Sequence, residues 1–244
     1  MNDPVSLPRA GAANAHEGET EHARSGSLLR DLMLGFNDGL VASFAVTSGV
    51  AGAFSNRLVV VMAGLAEMLG GAISMGLAAF ISERSAAEFY HNQLRREQEE
   101  VERWPELERE EIRVIYRAKG FSGALLDAIV NHITSDPERW CRVMMLEELG
   151  LPRPVPGGPL RSGSTVGVSY LAGALVPVLP YLILDPGPGV ALSAVCAALA
   201  LFTVGAAKTR LTARKWWQSG LETMATGVAA AAVTYAAGWL FSRR

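Results

Sequence analysis

Two carboxylates stand where carboxylates are costly. Asp38 and Glu67 are the single charged residues in two otherwise apolar stretches, 32–54 and 58–81. A charge at the centre of a bilayer costs at least ~2.5–3.5 kcal/mol, so such residues read as cation or proton sites facing a bundle interior. The opposing reading is a cap, an interhelical hydrogen bond or a place near the headgroups. It weighs most on Asp38, which lies about two turns into its stretch at 3.6 residues per turn. Glu67, Gly71 and Met75 follow one another at i, i+4 and i+8, a ridge about 12 Å long on one helix face. A carboxylate oxygen with a thioether sulfur suits a borderline divalent ion better than calcium or magnesium. Taken alone, Met75 would be read as packing. Glu222, at the start of another apolar stretch, stays open between the two readings.

A second group is denser. Residues 97–111 hold eight Glu and two Arg, a net charge of −6. Glu97 and Glu100 share a helix face at i, i+3, and Glu108 and Glu111 repeat the spacing after Pro105. Folded against each other, two such helices bring two carboxylate pairs together, and hard oxygen ligands held this way bind divalent cations. A solvated acidic face with Arg partners is the competing reading, and spacing alone favours it. Met144 and Met145 precede Glu148 by one turn on a short helix. Their thioethers pack in a core or soften a carboxylate site toward iron(II)-like ions. His91 and His132 have no partner at ligand spacing, and His16 and His22 fall in a polar tail.

These residues need helices to carry them. Half of the 244 residues are hydrophobic, yet mean hydropathy is only +0.21, because near-chargeless blocks alternate with charged ones. Stretches 32–54, 58–81, 166–184, 190–207 and 221–241 are each about long enough to cross a ~30 Å hydrocarbon core. The third is interrupted by Pro177 and Pro180. The expected fold is all-α: an integral membrane protein with five transmembrane helices and a helical metal-binding domain inserted between helices 2 and 3. The expected parts are a disordered tail at 1–27, transmembrane helices 1–2 at 28–82, the inserted domain and its linker at 83–163, and transmembrane helices 3–5 at 164–244. No Pro or Gly occurs between Gly76 and Pro105, so one helix could run from the second apolar stretch into the acidic segment. Pro105 opens a second domain helix, Lys119-Gly120 closes it, and a third runs from about Ser122 to Thr134. Asp136-Pro137 caps and starts a fourth that ends at Gly150. The stretch LPRPVPGGPLRSGS then reads as a linker.

Charge in the turns sets an orientation. The first turn holds only Arg57 and the third none, while the fourth holds Lys208, Arg210, Arg214 and Lys215. The N-terminus and inserted domain are therefore expected to be cytoplasmic, mildly opposed by Arg243 and Arg244. The net charge of −2 gives no sign of nucleic acid as a partner. Cys141 and Cys196 show no metal spacing and read as free thiols. No nucleophile motif, phosphate loop or HExxH pattern occurs, so no enzyme is expected. A di-iron oxidase of ferritin type would need Glu-x-x-His pairs, and the acidic segment contains no His.

The segments FNDGLVASFAVTSGVAGA and AEMLGGAISMGLAAFISERSAAEFY, the Glu-rich helix pair and DPERWCRVMMLEELGL occur in order. Together they make residues 28–241 resemble the vacuolar iron transporter family. The resemblance implies a five-span homodimer that moves ferrous iron out of the cytosol in exchange for protons, with a cytoplasmic domain that binds the metal first. It implies pathway roles for Asp38, Glu67 and Met75. It implies metal-ligand roles for Glu97, Glu100, Glu108, Glu111, Met144, Met145 and Glu148, and so tips the acidic segment from a solvated face to a site. The expected cargo is iron(II), then manganese(II), with zinc(II) and cobalt(II) as further candidates and no permanently bound cofactor. The expected partners are protons, membrane lipid and a second copy of the chain. An Ala/Gly/Arg-rich composition points to a bacterial inner membrane; in a eukaryote a vacuolar-type membrane would take its place. The alternatives are a membrane-anchored metal-binding or storage protein without transport, and a scaffold whose acidic domain docks a basic partner.

Overall fold

The computed structural model describes residues 9–210 and 214–242, with side chains described over 26–209 and 214–241. Among these residues the chain is all-helical: α1 Arg9–Ala53, α2 Arg57–Arg103, α3 Pro105–Ala118, α4 Gly123–Thr134, α5 Pro137–Glu147, α6 Gly158–Ile183, α7 Pro186–Ala207 and α8 Trp216–Ser242, with a 3-10 turn at Lys208–Arg210. It divides into two compact units. One ends at Phe80 and resumes at Leu160; the other is Ile81–Pro159.

The expected disordered tail, 1–27, falls partly outside the described residues, as do Arg243 and Arg244. From Arg9 on its backbone is helical and continuous with α1, as suits a segment rich in Ala and Glu, both strong helix formers. The side chains of His16 and His22 lie outside the described residues.

Among the described residues four helices are long and apolar enough to cross a membrane: α2, α6, α7 and α8. The stretch 32–54, expected as a span, lies in α1 and is not among them. Its hydropathy is held down by Asn37, Asp38, Ser43, Thr47 and Ser48, of which Ser43, Thr47 and Ser48 are buried inside the unit. Thr47 donates to the Ser43 carbonyl at 2.7 Å, and Ser43 donates to the Ala174 carbonyl of α6 at 2.9 Å. The hydroxyls of Ser43 and Thr47 are thus satisfied by protein, while Asn37 Oδ1 is buried without a partner. The Pro177–Pro180 interruption takes another form: α6 is one helix through both prolines. Membrane helices tolerate such residues when neighbours supply hydrogen bonds, and Ser193 of α7 donates to the Pro177 carbonyl at 2.8 Å. The expected linker is also shorter, because α6 starts at Gly158 with Pro159 in its first turn.

In this unit Leu40 and Phe44 of α1 pack with Ala197 and Leu201 of α7 and Ala231 of α8. The crossing of α1 and α6 is closer than side chains allow. A Cβ at Gly39 would fall 2.2 Å from the Tyr170 carbonyl oxygen, and one at Gly173 would fall 2.1 Å from that of Phe36. Backbone meets backbone there, as small-residue crossings permit. Gly39→Ala therefore has no room, whereas Gly70 has nothing within 4 Å. Gly39→Ala is expected to lower the melting temperature of the detergent-solubilised protein by roughly 5–10 °C, the equivalent of about 2–3 kcal/mol of overpacking. Gly70→Ala should leave it within error; equal melting curves for the two variants would contradict this packing.

The second unit has its own core: Val101, Ile112, Leu126, Val130, Ile133, Trp140, Cys141 and Met144. Its breaks are local. α2 ends before Pro105, α3 closes as the Lys119 and Gly120 amides fold back onto the carbonyls of Ile115 and Arg117, and Asp136 caps α5 by accepting from Glu138 and Arg139 at 2.9 and 3.2 Å.

Candidate metal sites

In the second unit the last turns of α2 carry Glu97 and Glu100, and the first turns of α3 carry Glu108 and Glu111. The helix breaks at Trp104 and Pro105 opens α3, and both i, i+3 pairs face one cavity of about 420 Å³. Glu148 joins them from the C-terminal end of α5. That end of a helix carries partial negative charge, an unfavourable place for a carboxylate unless a cation is near. The eight Glu of 97–111 are sorted onto two faces. Glu97, Glu100, Glu108 and Glu111 line the cavity, while Glu99, Glu102, Glu106 and Glu110 are exposed. Four of the eight thus face one cavity and four face outward.

Burial and crowding around the cavity raise the proton affinity of Glu97, Glu108 and Glu148. Burial, then the charges of Glu148, Glu100, Glu108 and Glu111, pushes the Glu97 carboxyl up to about 7. Burial, then Glu111, Glu100 and Glu148, pushes Glu108 up to about 7 as well. Glu148 is raised by burial and by Glu111 and Glu100. The Oε2 atom of Glu97 is buried without a hydrogen-bond partner. The cation lining the cavity, Arg96, is 3.9 Å from Glu100 and mostly exposed. Surface pairs of this kind contribute little. The cavity is thus an acidic hollow with almost no internal compensation. Among the described residues, no three His, Cys, Asp or Glu are already gathered tightly enough to hold an ion; the carboxylates surround space without converging on a point.

The two methionines are placed otherwise. Met144 is fully buried in the apolar core with Val101, Ile112 and Trp140. Met145 is buried too, and neither lines the cavity. His91 is exposed with a ring nitrogen 2.6 Å from the Ala87 carbonyl, and His132 is exposed on α4.

In the first unit, Glu67 and Met75 of α2 meet Tyr170 of α6. The Tyr170 hydroxyl donates to Glu67 Oε1, while Glu67 Oε2 is buried without a partner. Met75 packs on the cluster of Ala72, Tyr170 and Ala174. Asp38 of α1 is within electrostatic reach of both Glu67 and Tyr170. The structure therefore places Glu67 and Met75 on one tyrosine, with Asp38 near enough for its charge to be felt. Glu222 is exposed and paired with Arg214 at 3.0 Å, an ion pair at the start of α8. Tyr170 was not singled out from the sequence. The available signal was a tyrosine inside an apolar stretch, since a buried phenol needs a hydrogen-bond partner.

A sequence model of the VIT family matches residues 29–239. The chain is 37% identical over 220 residues to vacuolar iron transporter 2 of Oryza sativa subsp. japonica, covering 90% of this chain and 89% of the relative. It is 35% identical over 216 residues to vacuolar iron transporter 1 of Arabidopsis thaliana, covering 88% and 86%. It is 29% identical over 256 residues to Protein CCC1 of Saccharomyces cerevisiae, covering 98% and 78%.

Proposed function

The chain belongs to the VIT family, an integral membrane transporter rather than an enzyme, and on that premise we propose that it exports iron(II) from the cytosol in exchange for protons. Manganese(II) is the second candidate cargo. The observation that supports a divalent metal most directly is the cavity of five carboxylates with one loosely paired cation. Glu97, Glu100, Glu108, Glu111 and Glu148 would capture the ion there. Met144 and Met145 are buried and do not line the cavity; they belong to the proposal as ligands on the strength of the resemblance.

Asp38, Glu67 and Met75 would then pass the ion through the membrane unit. A carboxylate binds a proton or a metal but not both at one oxygen, so metal entry displaces a proton and metal exit readmits one. That competition gives exchange without a further energy source.

Topology and assembly belong to the same proposal. With α1 as a fifth span, its Ser43 and Thr47 hydroxyls bonded within the unit, the 81–159 unit and the N-terminus face the cytoplasm, where Lys208, Arg210, Arg214 and Lys215 also lie. The α2 helix exposes Met62, Leu69, Ile73 and Leu77, a face for lipid or for a second copy in a homodimer. The receiving compartment is a vacuolar-type lumen in a eukaryote and the outside of the inner membrane in a bacterium.

The test is flux. Proteoliposomes holding the purified protein should take up iron(II) down its gradient while a trapped pH dye reports counter-movement of protons. Iron(II) bound at fixed stoichiometry with no uptake would favour a membrane-anchored storage protein. Uptake indifferent to a pH gradient would remove the exchange step.

A further inference from the structure

Glu67 has two oxygens in unlike situations. Oε1 accepts from the Tyr170 hydroxyl, and Oε2 is buried with no partner. The phenol that makes this distinction is fixed on two sides. Its backbone carbonyl lies against Gly39 of α1, where a Cβ would come within 2.2 Å. Its ring lies against Gly71 of α2, where a Cβ would fall 2.1 Å from the hydroxyl oxygen and 2.3 Å from Cζ. Tyr170 is 2% exposed and packs with Ala72 and Ala174. The glycine on the ridge between Glu67 and Met75 is thus the seat of the ring.

We infer that Tyr170 is a positioning and specificity-determining residue: by holding Oε1, it makes Glu67 present a single oxygen to the ion. This rests on the reading that Glu67 takes the ion during transport. A carboxylate with one oxygen held by a phenol donor offers a metal its free oxygen first, and bidentate binding must compete with that hydrogen bond. Calcium, which takes six to eight oxygens and often a bidentate carboxylate, loses most from that restriction. A borderline ion that accepts one carboxylate oxygen together with a thioether loses little, and Met75 packs on the same cluster. The Tyr170–Glu67 bond would therefore disfavour calcium by making bidentate binding by Glu67 costly.

Tyr170→Phe removes one oxygen atom and keeps the ring on Gly71. In proteoliposomes this variant should raise the KM for iron(II) about tenfold, the scale of a lost hydrogen bond to a charged group, with maximal flux within about twofold. Calcium at concentrations harmless to the wild type should now compete. Wild-type KM with unchanged calcium insensitivity would overturn the inference, and so would a fall in maximal flux alone, which is what a merely structural role predicts. Should Tyr170→Phe fail to give monodisperse protein, Gly71→Ala reads the same feature by displacing the ring from Glu67. The same KM shift and calcium competition are expected, and wild-type values there count against the inference equally. Glu67→Gln separates the two levels. If it transports normally, Glu67 is not on the pathway and the underlying reading fails. If it is inactive while Tyr170→Phe is unchanged, only the role of Tyr170 fails.

Discussion

Glu67→Gln is expected to abolish iron(II) flux in a protein that still folds. Glutamine has the shape of the residue it replaces and keeps a carbonyl oxygen that can accept from Tyr170, so the packing around Gly71 and Ala72 survives. The charge does not. Removing even the partner of a metal ligand costs 10–100-fold in typical sites, so losing the charged ligand itself should lower flux by about a hundredfold or more. Folding should be unharmed or improved, because the substitution removes a buried charge whose Oε2 has no partner, and an unpaired buried charge costs more than a neutral amide. The informative result is therefore paired: unchanged or higher melting temperature, with flux gone. A variant retaining more than a tenth of wild-type uptake would place the pathway elsewhere.

Much of this arrangement is legible in the sequence, and the division follows the range of the interaction. Pro105, Gly120 and Pro137 act on their own backbone, so the helix ends of the inserted unit can be read from them. The i, i+3 pairs Glu97–Glu100 and Glu108–Glu111 are equally local, and both pairs reach the cavity. What cannot be read is set by distant partners. Tyr170 and Glu67 are 103 residues apart, and no spacing rule links them. Met144 lies on the same short helix as Glu148, but only the tertiary packing decides that the sulfur enters the core while the carboxylate reaches the rim. The Pro177–Pro180 pair shows the same limit: the prolines predict interruption, and hydroxyls from other helices accompany continuity.

The acidic cavity should impose an inverted pH dependence on stability. A carboxyl usually gains from folding and loses that gain on acidification; Glu97 and Glu108 do the opposite. Their folded values of about 7 exceed the ordinary 4.5, so between pH 4.5 and 7 the folded state holds protons that the unfolded state releases. Stability is therefore greatest below that window, falls as pH rises through it, and levels off above it. The pair titrates together, so the two rises act as one coupled destabilisation, on the order of a few kcal/mol in all. The metal-free, detergent-solubilised protein should accordingly melt several degrees lower at pH 8 than at pH 5.5. Glu97→Gln with Glu108→Gln should flatten the profile and raise the melting temperature at pH 8. Manganese(II), chosen for its resistance to oxidation, should restore the wild type at pH 8 and do little for the double variant. Below pH 6 its apparent Kd should rise steeply, up to about a hundredfold per pH unit if two protons must leave. A wild-type protein most stable at pH 8 without metal would show that these carboxylates are not crowded as described.

The polar residues of α1 have a consequence for how the protein is made. Ser43 donates to the Ala174 carbonyl, 131 residues later in the chain, and at about 5–20 residues per second that stretch takes roughly 7–26 s to synthesise. During this interval the first helix has neither α6 nor α8 beside it. Thr47 is prepared for the wait, since its hydroxyl bonds to the carbonyl of Ser43 within its own helix. Ser43 is not, because the carbonyl it donates to belongs to a helix not yet made. Translation therefore leaves an early helix with an unmet polar demand, and it is the arrival of α6, rather than the emergence of α1, that commits this part of the chain to its final place.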